Sequence, residues 1–171
     1  MFREIAQIVL AIQLSSSHLP ISRTEQLAKS IKNGSEFAGV DPFIIVAIAT
    51  HESGWNERTI SDDGEDLGLL QIRGKFYGGK NEWLLSGENN IRVGSYIIKK
   101  DIEFCEKQLK RAPSEDEWLS CYAGQCTNPA HWCKPTSLTK QFVAYEKCLE
   151  NAVSDIEQES AVDCKKKIYH Y

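Results

Sequence analysis

The stretch "IATHESGWNERTISDDGEDLGLLQI" brings Glu52 to the end of an apolar run and then holds Asp62, Asp63, Glu65 and Asp66 in one loop. A carboxyl group at the carboxyl end of a buried helix loses its hydration and faces the negative end of the helix. Both effects favour its protonated form. A carboxylic acid that stays protonated near neutral pH is what a general acid requires. In that loop Asp63, Glu65 and Asp66 are expected to be solvated. The pair His51-Glu52 invites a zinc-peptidase reading, but the second histidine of H-E-x-x-H would fall at Trp55, which excludes it. His51 is expected to be a surface or capping residue.

Six cysteines, at positions 105, 121, 126, 133, 148 and 164, form no C-x-x-C pair. Cys126, His131 and Cys133 offer at most part of a zinc site. The even count and the clustering favour three disulfides, clamping the helices after Ile91 to the loop around Pro129 and to the tail. Disulfides place the chain in an oxidising compartment, periplasmic or secreted, with an export signal removed ahead of this sequence. No metal or cofactor is expected.

The 171 residues suffice for one domain with a core, and the sequence reads as a single domain over 1–171. A net charge of −4 argues against a nucleic-acid partner. No apolar run is long enough to span a membrane.

The elements that must position Glu52 read as helices. Phe2, Ile5, Val9 and Ile12 share one helix face. "SRTE" at Ser22 has the capping-box pattern, with Leu27, Ala28 and Ile31 following on one face and Gly39 as the stop. Asp41 and Pro42 begin a helix whose residues 43–49 are apolar all round, hence central, and Gly54 stops it. "LGLLQI" is too short for a helix and reads as extended. Asn89 or Asn90 is expected to cap the longest helix, in which Ile91, Gly94, Ile98, Ile102, Cys105 and Leu109 step by three and four until Pro113 breaks it. "SEDE" at Ser114 is a second capping box. Leu138, Phe142, Tyr145, Leu149 and Ala152 form a last helix face, and the basic tail is peripheral. The fold class is mainly α, with at most a small β-hairpin and a disulfide-stapled carboxyl-terminal half.

Taken in order, "HESGWN", "GLLQI", "ENNIRVGSYI" and "CYAG" resemble the motifs of the lysozyme-like domain shared by soluble lytic transglycosylases and goose-type lysozymes. The similarity covers residues 42–148, and four motifs in the right order make it specific. The resemblance implies cleavage of the β-1,4 bond between N-acetylmuramic acid and N-acetylglucosamine in peptidoglycan. Glu52 takes the position of the catalytic acid. Ser61, Leu70 and Gln71 match positions lining the sugar groove, and Tyr145 resembles the late tyrosine that approaches the acid. Where the family shows A-Y-N-A-G this chain has Cys121 and Tyr122, so Tyr122 either reaches the cleft or packs beside a Cys121 disulfide. Trp55 and Trp83 are candidates for stacking on sugar, while Trp118 and Trp132 are weaker ones.

The loop "SDDGEDLGLLQIR" aligns without a gap to the goose-type pattern, with Asp62 on a water-activating aspartate and Arg73 where a second aspartate would stand. That favours a muramidase with Asp62 as base over a transglycosylase, which needs no base. An inactive peptidoglycan-binding module is the rival of another class, and the retained Glu52 and Gln71 speak against it. The anionic loop further suggests tolerance for de-N-acetylated glycan. The expected partner is peptidoglycan, and the chain is expected to act as a monomer.

Overall fold

A computed structural model describes residues 2–76, 81–124, 126, 128–156 and 164. Seven helices carry these residues: α1 (Phe2–Ser15), α2 (Ile21–Ala38), α3 (Pro42–Glu52), α4 (Asn81–Leu84), α5 (Gly87–Leu109), α6 (Glu115–Tyr122) and α7 (Ser137–Ile156). The only paired strands among the described residues are β1 (Asp66–Leu67) and β2 (Ile72–Arg73). They are antiparallel, with Asp66 opposite Arg73 and Leu67 opposite Ile72. The mainly α reading with one small hairpin holds. "LGLLQI" is not one strand, because residues 68–71 turn between β1 and β2.

Helix α3 is the centre of the molecule. Every residue from 44 to 50 is buried, and α1, α2 and α7 pack around it. Its start is as read: Asp41 accepts a hydrogen bond from the Phe43 N–H at 2.8 Å, and Pro42 occupies the first turn, where no N–H is needed. Gly39 ends α2 in the left-handed region at φ 77°.

Two expected caps are not made. Helix α2 begins at Ile21, behind Pro20, so Ser22 already lies inside it. Arg23 and Thr24 are taken by other bonds. Thr24 donates to the Pro20 carbonyl, and Arg23 binds Glu57 and Glu88. That fork ties α2 to the start of α5, where Glu57 also accepts from the Gly87 N–H. Helix α5 begins at Gly87, after Ser86, so neither Asn89 nor Asn90 is its cap. The second capping box is formed: the Ser114 N–H donates to Glu117 Oε2 at 2.8 Å.

The six cysteines form three disulfides, Cys105–Cys133, Cys121–Cys126 and Cys148–Cys164. They tie α5 to the loop before α7, close the loop after α6, and hold the tail to α7. Cys126 and Cys133 are therefore consumed, which removes the zinc reading with His131. Apart from Cys164 the basic tail lies outside the described residues. No described helix is long and apolar enough to cross a membrane.

Candidate functional site

Glu52 is the last residue of α3, and the chain leaves it by a sharp turn. Gly54 and Trp55 both adopt positive φ, 56° and 72°. For a tryptophan this conformation costs about 1 kcal/mol or more. Burial offsets it: Trp55 is 1% exposed, and its indole N–H donates to Thr50 Oγ1 at 3.0 Å. Trp55 is thus a clamp on the end of α3 and belongs to the core, not to a sugar-stacking surface.

Glu52 opens into a cleft of about 690 Å³, lined among others by His51, Asp66, Leu70, Gln71, Asp101 and Tyr122. Burial, and secondarily the negative charge of Asp66, lift the Glu52 pKa from 4.5 to about 7. The desolvated carboxyl expected at this helix end is found, with the Asp66 charge as an additional cause of its raised pKa.

The floor of the cleft is built on Leu70. Its N–H donates to Asn90 Oδ1 at 2.8 Å, and its carbonyl accepts from the Tyr122 hydroxyl at 2.7 Å. Its side chain lies where a Cβ on Gly94 would come within 2.3 Å of Leu70 Cδ1. The Asn90 amide also donates to the Leu67 and Leu84 carbonyls, both at 2.8 Å. Residues from "GLLQI", "ENNIRVG" and "CYAG" therefore meet at one position, which explains why these residue types occur together. Gln71, at φ 45°, donates its amide to the Gly68 and Thr59 carbonyls and faces the cleft. Tyr122 satisfies both expectations at once: it reaches the cleft, and its neighbour Cys121 is disulfide-bonded.

The acidic loop is arranged differently from its reading. Asp62 is exposed and does not line the cleft, whereas Asp66 does. The reason is the hairpin register. Asp66 pairs with Arg73 across β1 and β2, and both its oxygens accept from that guanidinium, at 2.9 and 3.0 Å. Arg73 thus supports the second carboxylate of the site. Ser61 does not line the cleft either. Its hydroxyl donates to Asp63 and accepts from the Asp66 N–H, so it shapes the loop. Asp63 and Glu65 pair with Arg73, and Glu65 with Lys75, so the loop is not the bare anionic surface that would favour deacetylated glycan.

Tyr145 is 1% exposed, bonds Ser15 Oγ at 2.9 Å, and is absent from the cleft lining. Trp83 is partly exposed under Arg92, also away from the lining. Trp118 is buried, and Trp132 packs edge-on against Phe104.

Two further residues line the cleft: His51, expected at the surface or as a cap, and Asp101, for which no role was expected. His51 lies edge-on to Phe142 at 5.0 Å, and burial lowers its pKa, keeping the ring neutral. Asp101 is pushed to about 7 by burial, and its Oδ2 has no hydrogen-bond partner. Its signal was present: Asp101 stands three residues after Ile98 and four before Cys105, a carboxylate on the apolar stripe of α5. A second hollow lies beside Arg23, Glu57 and Ser86, where Arg23 is paired with Glu57.

The family model described as "Transglycosylase SLT domain" matches residues 29–161, most of the chain and all of the cleft residues. Neither the curated proteins nor the solved structures contain a match to the chain.

Proposed function

The chain belongs to the transglycosylase SLT family, and from that premise we propose that it cuts the β-1,4 bond after N-acetylmuramic acid with Glu52 as general acid, by transglycosylation. Enzymes of the family cleave peptidoglycan, and their action is extracytoplasmic. A periplasmic or secreted location fits the three disulfides.

In this reading protonated Glu52 gives its proton to the glycosidic oxygen as the bond to the anomeric carbon breaks. The 6-hydroxyl of the same muramic acid attacks that carbon, and its proton returns to Glu52. The product is a 1,6-anhydro ring, and the acid is restored. Gln71 spends its amide N–H groups on Thr59 and Gly68, leaving its carbonyl oxygen to accept from the glycan.

One observation carries the choice: Asp62, the base that the goose-type match offers, does not line the cleft. Asp62 is exposed, and Asp66, which does line the cleft, has both oxygens on Arg73. Inverting hydrolysis needs a base free to activate water. Hydrolysis is the second reading, favoured by the presence of Asp66 on the same wall as Glu52.

The test of Glu52 is Glu52→Gln, assayed by dye release from labelled sacculi. Cleavage falls at least ~10²-fold while glycan pull-down persists. A variant cutting at the wild-type rate would overturn the assignment.

A further inference from the structure

Away from the cleft, four carboxylates from three helices converge at the amino-terminal end of α3. Asp41 caps α3, Glu115 is the first residue of α6, and Glu146 and Glu150 stand one turn apart on α7. Carboxylate oxygens of Asp41, Glu146 and Glu150 all lie within 4.8 Å of one another. Glu115 adds its charge to both α7 residues.

Glu146 makes this more than an acidic patch. It is 2% exposed, and its Oε2 has no hydrogen-bond partner. Glu115 hydrogen-bonds the Glu146 carboxyl, but the buried Oε2 left without a partner is costly, and like charges one helical turn apart oppose each other. Among the described residues, Lys147, which is exposed, acts on Glu150. One proton can bridge one pair of these acids, but it leaves the other charges uncompensated.

We propose that Asp41, Glu146 and Glu150, with Glu115 at the edge, form a calcium site. The donors are oxygen only, with no sulfur or nitrogen, which selects hard cations over zinc or copper. Magnesium keeps several waters in a strict octahedron, and a donor as buried as Glu146 leaves little room for them. Calcium accepts bidentate carboxylates in flexible geometry. The bound ion would join α3, α6 and α7 at the end of α3 opposite Glu52. The site is independent of how the cleft works.

The test uses the full, disulfide-bonded chain, stripped with chelator and desalted. Melting curves and calorimetric titration are recorded at pH 7.5 with CaCl2 or MgCl2. An extracellular-grade affinity, about 10⁻⁴–10⁻³ M, predicts a saturable rise in Tm of about 3–11 °C at ~10 mM CaCl2, and a smaller one with MgCl2. Glu150→Gln weakens calcium binding at least ~10-fold. Glu146→Gln abolishes it, while its metal-free Tm is no lower than that of the wild type. If Glu146→Gln does not fold, the wild-type titration and Glu150→Gln decide. A wild type without saturable calcium heat or Tm shift overturns the site, as does an undiminished response in Glu150→Gln. An equal response to magnesium overturns the choice of calcium.

Discussion

Replacing Asp66 by asparagine asks how Glu52 is kept protonated. The Glu52 pKa rises from 4.5 to about 7, with burial as the larger cause and Asp66 as the second. Asp66 therefore supplies less than half of the rise, and Asp66→Asn lowers the Glu52 pKa by at most about one pH unit. Arg73, freed of its partner, pushes in the same direction. Arg73→Met does the reverse: it removes the cation that holds both Asp66 oxygens, strengthens the Asp66 field, and raises Glu52. The assay is kcat/KM for dye release from sacculi between pH 4 and 9. A general acid works only while protonated, so the rate falls above its pKa, near 7 in the wild type. In Asp66→Asn the alkaline limb moves toward acid, costing up to about tenfold at pH 8 and little at pH 5. In Arg73→Met it moves toward alkali. Limbs that stay put, or that move together in the two variants, would refute the reasoning.

Glu52→Gln has a stability signature besides its loss of activity. The folded pKa lies above the unfolded one, so the Glu52 contribution is present below about pH 4.5 and is lost as pH rises through 7. The variant should gain up to about 3 kcal/mol in urea unfolding at pH 8.5 and almost nothing at pH 4.5; equal gains at both pH values would contradict this. Asn90→Ala strands the Leu70 N–H and the Leu67 and Leu84 carbonyls. It should cost about 3 kcal/mol or more in the same assay, and a loss under about 1 kcal/mol would show that the turn is held otherwise. Gly94→Ala drives a methyl into Leu70 and should cost about 1–3 kcal/mol. Its activity loss should exceed that of an equally destabilising core substitution elsewhere, and equal losses would remove Leu70 from the cleft floor.

Much of the scaffold could be read from local patterns because its causes are local. The apolar run of α3, with Asp41 and Pro42 at its start, states both a buried helix and a carboxyl at its end, so Glu52 could be read directly. What could not be read depends on distant partners. Asn90 has the chemistry of a cap, but its side chain is claimed by a turn about twenty residues earlier in the chain. Trp55 looks like an aromatic beside the acid, yet the left-handed turn at Gly54 and Trp55 folds it into the core. Asp62 and Asp66 are alike as letters; only the pairing of Asp66 with Arg73 decides which one reaches the cleft. That pairing also gives Arg73, a mismatch to the goose-type pattern, a role. Tyr145 follows the helix period into the interior, where Ser15 meets its hydroxyl. Asp101 was legible in principle, since a carboxylate on an apolar helix stripe always needs an explanation.

The central claim is that Glu52 serves as both acid and base, so that the sugar closes on itself. Mass spectrometry of the soluble products released from purified sacculi by the wild-type chain tests this directly. The account predicts products ending in 1,6-anhydromuramic acid, each lighter by one water than its hydrolytic counterpart, and none of them with Glu52→Gln. Products ending in reducing muramic acid, lost on substitution of Asp66 or Asp62, would contradict it and establish hydrolysis.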